Sequence, residues 1–269
     1  MFRTPAALYL RRATLALGQL ALPFVVVAIL WEGFAIFGPF PPRLFPRIET
    51  IASALVRLVV TGILPLHALE TLLRLAAGFL LGSVVGVTMG MLMGRYRWAE
   101  DLLVPVVSVG NPIPGLAYAP LFVLWFGLGN LPAVLLVGFS ATFPVVVNTW
   151  TGVKAVKSIW IRAAETMGAG GGELFRKVVL PGSLPFVIAG LRQAFARSWI
   201  AVVGGEMIAA TSWGLGWVIF DSKEFLRTDV MLSTLVVIGI LGLGFERLVF
   251  QVVERRTVGR WGMVRTAGT

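Results

Sequence analysis

The chain has 269 residues, 57% of them hydrophobic and 13% charged, with a formal net charge of +10. Residues 102–153 form a run of 52 without a charge, more apolar surface than a soluble fold can cover and enough for two crossings of about 20 residues each. With no cysteine and His67 as the single histidine, one chain can form no disulfide, thiolate metal site or histidine metal cluster.

Arg3, Arg11 and Arg12 precede an apolar stretch over about 15–37, which predicts an uncleaved first span because no small-residue cleavage pattern follows. Gly38-Pro39-Phe40-Pro41-Pro42 ends it, since prolines this dense cannot continue a helix. Residues 43–73 are mixed in polarity and read as an external loop with one or two amphipathic helices, 48–60 being the better candidate. A second span is expected over about 75–94. There Gly78, Gly82, Gly86, Gly90 and Gly94 fall one per turn, a stripe that lets another helix backbone approach. After the charged turn 95–101, the uncharged run supplies a third span near 113–126 and a fourth near 133–149. Pro105, Pro112, Pro114 and Pro120 crowd the approach to the third. Backbone carbonyls freed by proline are tolerated where a helix is buried in protein or lines a cavity.

The polar segment 151–180 reads as a short helix, 158–167, a break at Gly168, Gly170, Gly171 and Gly172, and an amphipathic turn, 173–179. Leu180-Pro181 and Pro185 are expected to stop it before a fifth span at about 185–210, and a sixth covers about 230–250. Six spans put both termini on one side, together with the charged turn and the 151–180 segment. Of 23 Lys and Arg, 14 then fall on that side and five in the opposite loops, which predicts cytoplasmic termini and a cytoplasmic 151–180 loop.

Three ionisable residues lie in or beside the fifth span. Arg192 is near its cytoplasmic end and can snorkel. Arg197 lies about 18 Å along the helix from Pro185, near mid-membrane, and is the candidate anion contact of a solute path. Glu206 is about 13 Å further on, too far to pair with Arg197 within one helix, and is expected near the outer end as a gate or packing contact. Asn111, Tyr118, Asn148 and Trp199 are polar or amphipathic residues that can line the same route.

Arg162-Ala163-Ala164-Glu165-Thr166-Met167-Gly168, then nine residues, then Val178-Val179-Leu180-Pro181 resembles the coupling-helix signature of bacterial ABC importer permeases. One position departs: the family's leading glutamate is Arg162 here, and Glu165 stands three residues later. The resemblance continues in Leu44-Phe45-Pro46, in 67–74, in 119–129, in Ala189-Gly190-Leu191-Arg192, in Trp199 with Glu206-Met207, and in 224–229. Together these look like the nitrate/sulfonate/taurine/bicarbonate branch. The resemblance implies a type I importer permease fold, a single transmembrane permease domain over 1–269 with about six spans and a cytoplasmic coupling helix, in a bacterial inner membrane. It implies a coupling role for Arg162, Ala163, Ala164, Glu165, Gly168, Leu180 and Pro181. Implied partners are a second permease copy, two ATPase subunits, an extracytoplasmic substrate-binding protein and the lipid bilayer, with no nucleic acid. The chain has no G-x-x-x-x-G-K-[ST] loop, so ATP and Mg belong to the ATPase subunits; no cofactor and no catalytic residue are expected on this chain. The competing reading is a secondary transporter, which calls for intramembrane carboxylates or paired broken-helix repeats.

Overall fold

One glycine per turn on a single helix decides how the centre of the molecule packs. The structure is a computed structural model that describes residues 22–209 and 212–250. Its helices are α1 (Leu22–Phe37), α2 (Ile48–Val60), α3 (Ile63–Arg95), α4 (Arg97–Gly110), α5 (Ala119–Phe126), α6 (Asn130–Lys154), α7 (Ser158–Thr166), α8 (Gly171–Ile208), α9 (Leu215–Glu224) and α10 (Thr228–Phe245). Along α3, Gly78, Gly82, Gly86, Gly90 and Gly94 meet Val137, Ala141, Val145, Thr149 and Val153 of α6 in turn, so the two helices run parallel. A β-carbon at Gly86 would stand 2.7 Å from that of Val145, and one at Gly90 2.6 Å from that of Thr149. The stripe is a helix-packing surface.

α8 lies antiparallel on α6. Gly190 faces Asn148, Ala194 packs with Ala141 and Val145, and Gly205 approaches Ala133. α10 returns beside α8, with Phe245 against Phe195 and Trp199, and ends in a π-helical turn, Glu246–Phe250. α2 closes on α10 through the Ser233 hydroxyl, which donates to the Ile51 carbonyl at 2.8 Å. One end of this bundle therefore carries α2, α9 and the start of α3; α7 and the ends of α3 and α6 occupy the other.

Four helices are long and apolar enough to cross a membrane: α3, α6, α8, and α10 with its π turn. A fifth crossing exists if α4 and the segment 115–126, bent by 87° at their break, count as one. The expected first span begins outside the described residues, and α1 shows its later part.

Three sequence expectations change. Residues 63–73, expected in an external loop, are the opening turns of α3, because His67, Thr71 and Arg74 turn inward and are buried. The span expected at 113–126 is broken: Pro112 and Pro114 separate α4 from a short 3-10 turn, Gly115–Tyr118, that leads into α5. Finally, Pro181 and Pro185 do not stop a helix before the fifth span. A π-helical turn, Phe175–Val179, sits immediately before them, and the Leu180 N–H reaches back to the Phe175 carbonyl. That wider turn accommodates the proline ring, which would crowd the Lys177 carbonyl in a regular helix, so α8 runs unbroken over 38 residues.

Candidate functional site

The end bearing α7 is built from a helix too short to hold a core. No residue of α7 is buried, and Ile159 and Met167 are 67% and 87% exposed. Its exit is a Schellman turn: the Ala169 N–H donates to the Ala164 carbonyl at 3.0 Å and the Gly168 N–H to the Glu165 carbonyl at 2.9 Å. Gly168 takes φ +87°, and an added β-carbon there would meet nothing within 4 Å. Backbone handedness, not space, requires glycine at this point.

Trp160, Ala163 and Ala164 face Lys177, Val178 and Pro181 across an open groove of about 570 Å³. The structure thus brings Ala163, Ala164 and Pro181 together, with Leu180 beside them and 37% exposed. Arg162 and Glu165 are exposed and make no ion pair with each other; Arg162 instead reaches the Ser158 hydroxyl at 3.3 Å. Arg95 ties this loop to the bundle. It donates to the Gly171 carbonyl at 3.1 Å and lies 5.0 Å over the Phe175 ring.

At the break between α4 and the 3-10 turn lies a cavity of about 490 Å³ lined by Asn111, Pro112, Phe139, Ser140, Phe143 and Arg197 among others. Arg197 is exposed and donates from Nη1 to the Asn111 side-chain oxygen at 3.2 Å and to its carbonyl at 3.3 Å. Among the described residues no carboxylate lies within 4.0 Å of it. Tyr118 borders this cavity through its packing on Phe139 at 4.5 Å. Asn148 lies one helical turn away, bonding Gln193 at 3.1 Å and the Pro144 carbonyl at 2.8 Å. Trp199 does not join the group, since it packs on Phe195 and Phe245 towards α10. Arg192 does not simply snorkel: it pairs with Glu246 of the π turn.

Glu206 is also elsewhere. It is fully buried, with Arg74 Nη1 donating at 2.7 Å, the Thr71 hydroxyl at 3.0 Å and the Gly216 N–H at 2.9 Å. Arg74 further donates to the Trp213 carbonyl at 2.6 Å and to Asn130 at 2.9 Å. Around them the Leu215 N–H bonds Thr71 at 2.8 Å and the Gly214 N–H bonds His67 at 2.9 Å. The network clamps α3, α6, α8 and the turn before α9 into one block. The sequence singles out Glu206 but not its pairing with Arg74, because the two stand 132 residues apart. The available signal was the spacing of His67, Thr71 and Arg74, which puts three polar side chains on one helical face.

Two features thus stand out: an exposed, glycine-capped helix between two long apolar helices, and a cavity beside the apolar helices α6 and α8 with an arginine in it. Residues 82–258 match the family of binding-protein-dependent transport system inner membrane components. The chain belongs to that family. It is 34% identical to the taurine transport system permease protein TauC of Escherichia coli over 95% of this chain and 92% of that protein. A protein of Methanocaldococcus jannaschii named as an ABC transporter permease is 35% identical, over 90% of this chain and 91% of its own length. The MetNI methionine ABC transporter in an inward-facing conformation has the same fold, with a TM-score of 0.60 at 20% identity over 78% of this chain and 98% of that one. This chain is therefore an inner-membrane ABC importer permease with the type I fold, and its relatives include permeases named for taurine and for aliphatic sulfonates.

Proposed function

We propose that this permease carries a small anionic solute, sulfonate- or taurine-like, past Arg197, and that separate ATPase subunits drive it through α7. The observation that carries the reading is the shape of α7: slim at Ala163 and Ala164, held off the bundle, and turned sharply at Gly168. Such a helix can lodge in a cleft of another subunit, with Leu180-Pro181 securing its return to the membrane. The permease pairs with a second copy of itself, because Arg197, Gln193 and Asn111 would otherwise confront lipid, where ionised and polar groups are costly. An external binding protein delivers the solute, and ATP with its Mg ion stays on the ATPase subunits. Arg197 hydrogen-bonds the neutral Asn111, and among the described residues no carboxylate lies within 4.0 Å of it, so its charge is available to attract an anion.

Reconstituted vesicles holding the permease, its ATPase and its binding protein test this with taurine as the probe. Uptake should require ATP and vanish when the ATPase is omitted; ATP-independent uptake would favour a secondary transporter. Gly168→Trp should leave permease yield intact while abolishing ATP-driven uptake, because a tryptophan at φ +87° cannot keep the turn. Arg197→Gln should preserve assembly and ATPase binding yet lower uptake about tenfold, the worth of one charge-assisted hydrogen bond. Unchanged uptake in both variants would sink the assignment.

A further inference from the structure

The end of the bundle opposite α7 is, on the charge count, the end poor in Lys and Arg. Apart from the buried Arg74, its basic residues are Arg43, Arg47, Arg57, Lys223 and Arg227, and most of them gather in one place. Arg43, Arg47 and Arg227 line one cavity of about 530 Å³ between the α1–α2 connection and the turn before α10. Arg57 adjoins it through Asp229, the cavity's single acid, at 3.8 Å. Arg47 lies 3.8 Å from Glu32, while among the described residues Arg43 and Arg227 have no carboxylate within 4.0 Å. The cavity therefore has a surplus of guanidinium donors.

The rest of its lining is mostly apolar and includes Phe45, Pro46, Phe225 and Leu226. Phe45 stacks on Trp31 at 4.0 Å and meets Phe34 edge-on at 4.9 Å, and the Trp31 indole N–H donates to the Pro46 carbonyl at 3.0 Å. On the other side stand Phe225 and Leu226, 68% and 60% exposed. Leu226 is the one non-glycine residue with positive φ, +54°, among the described residues. A bulky residue held there is strained, and such strain gathers at ligand clamps.

Depth decides what fits. α1 presents Phe24, Leu30 and Phe37 outward at 70%, 67% and 87% exposure, so its surface suits acyl chains. The cavity starts where α1 ends, at Ala35 and the proline-rich connection. Trp at this level is the usual marker of the membrane–water boundary. From these observations we propose that the cavity holds the phosphate headgroup of an anionic phospholipid, with Arg43 and Arg227 as its ligands and the acyl chains along α1. An acidic protein surface is the competing occupant. A rigid protein face would have to leave the aromatic floor uncovered, whereas a lipid covers floor and charges together.

The test uses the full chain purified in its complex and placed in nanodiscs with spin-labelled phosphatidylglycerol or phosphatidylcholine. The native protein should retain phosphatidylglycerol over phosphatidylcholine, and Arg43→Gln/Arg227→Gln should cut that preference about 25-fold, roughly fivefold per arginine near a charged surface. Arg43→Lys/Arg227→Lys should keep most of it, which separates loss of charge from misfolding. Equal preference in the native and glutamine proteins would place the lipid elsewhere and overturn the proposal. So would displacement of the lipid by millimolar inorganic phosphate, the mark of a free-anion site. A third overturning result is an absent native preference combined with glutamine-variant loss of binding-protein capture, which would assign the surface to a protein. None of these outcomes depends on α7 or Arg197.

Discussion

Arg74 and Glu206 meet in the interior, 4% and 0% exposed. Both carboxylate oxygens and all three guanidinium nitrogens find partners: the oxygens receive Arg74, Thr71 and Gly216, and the guanidinium spreads over Glu206, Trp213, Asn130 and Glu70. Gly214 belongs to the same arrangement, since a β-carbon there would stand 2.6 Å from a Glu206 oxygen. Breaking one side of such a pair strands the other charge, at a cost of about 3–5 kcal/mol, while replacing both by apolar groups of similar volume is often neutral. Arg74→Met should therefore lower the thermal midpoint of the purified permease sharply, and Arg74→Met/Glu206→Met should recover much of the loss. If the single and double variants melt together, the pair does not hold the block. Arg197 differs at the same scale: its partner is neutral and it faces a cavity, so its removal should spare the fold.

The helices show which physical signals survive in a sequence. Ile48–Val60 is read at its observed bounds, because its polar and apolar residues alternate with helical period and a proline-rich stretch precedes it. The start of α3 is misread, because His67, Thr71 and Arg74 look solvent-directed by polarity yet turn inward to Glu206 and the turn before α9. The break at 111–114 is announced by its prolines, whereas the 87° bend is not, since it depends on what the two halves pack against. The glycine stripe is legible as a packing surface, though not which helix fills it. Gly86→Leu is the corresponding prediction. With Val145 Cβ and the Thr142 carbonyl only 2.7 and 2.8 Å from a β-carbon, α3 and α6 must separate along their length, and destabilisation should exceed the roughly 1–3 kcal/mol of ordinary overpacking. Gly239→Ala on α10, where nothing lies within 4 Å, should be neutral or slightly stabilising. Similar melting of both variants would mean that the stripe does not set the α3–α6 distance.

At the scale of the molecule the open question is which end faces the cytoplasm. α8 alone settles that Gly172 and Lys223 lie at opposite ends, because one long crossing and the short α9 separate them. Charge must settle the rest, and the connections between described helices do so weakly: seven basic residues lie at the α7 end (95, 97, 154, 157, 162, 176, 177) against five at the other (43, 47, 57, 223, 227). The tails, which lie outside the described residues, carry the rest of the signal. The six-span reading of the sequence assigns Arg3, Arg11, Arg12, Arg255, Arg256, Arg260 and Arg265 to the α7 side and so expects 14 basic residues there, and positive charge is retained on the cytoplasmic side. The chain has no cysteine, so single introduced thiols report without background. Gly172→Cys and Lys223→Cys both sit at exposed positions. A membrane-impermeant maleimide on intact cells should label only the Lys223→Cys protein, and inside-out vesicles should reverse the pattern. The reverse in cells would invert the molecule and move α7 away from any cytoplasmic ATPase. Labelling of both from one side would deny that α8 crosses the membrane. Replacing the seven terminal arginines by glutamine should weaken the orientation and yield mixed labelling, which would locate the topological signal in the tails rather than in the loops.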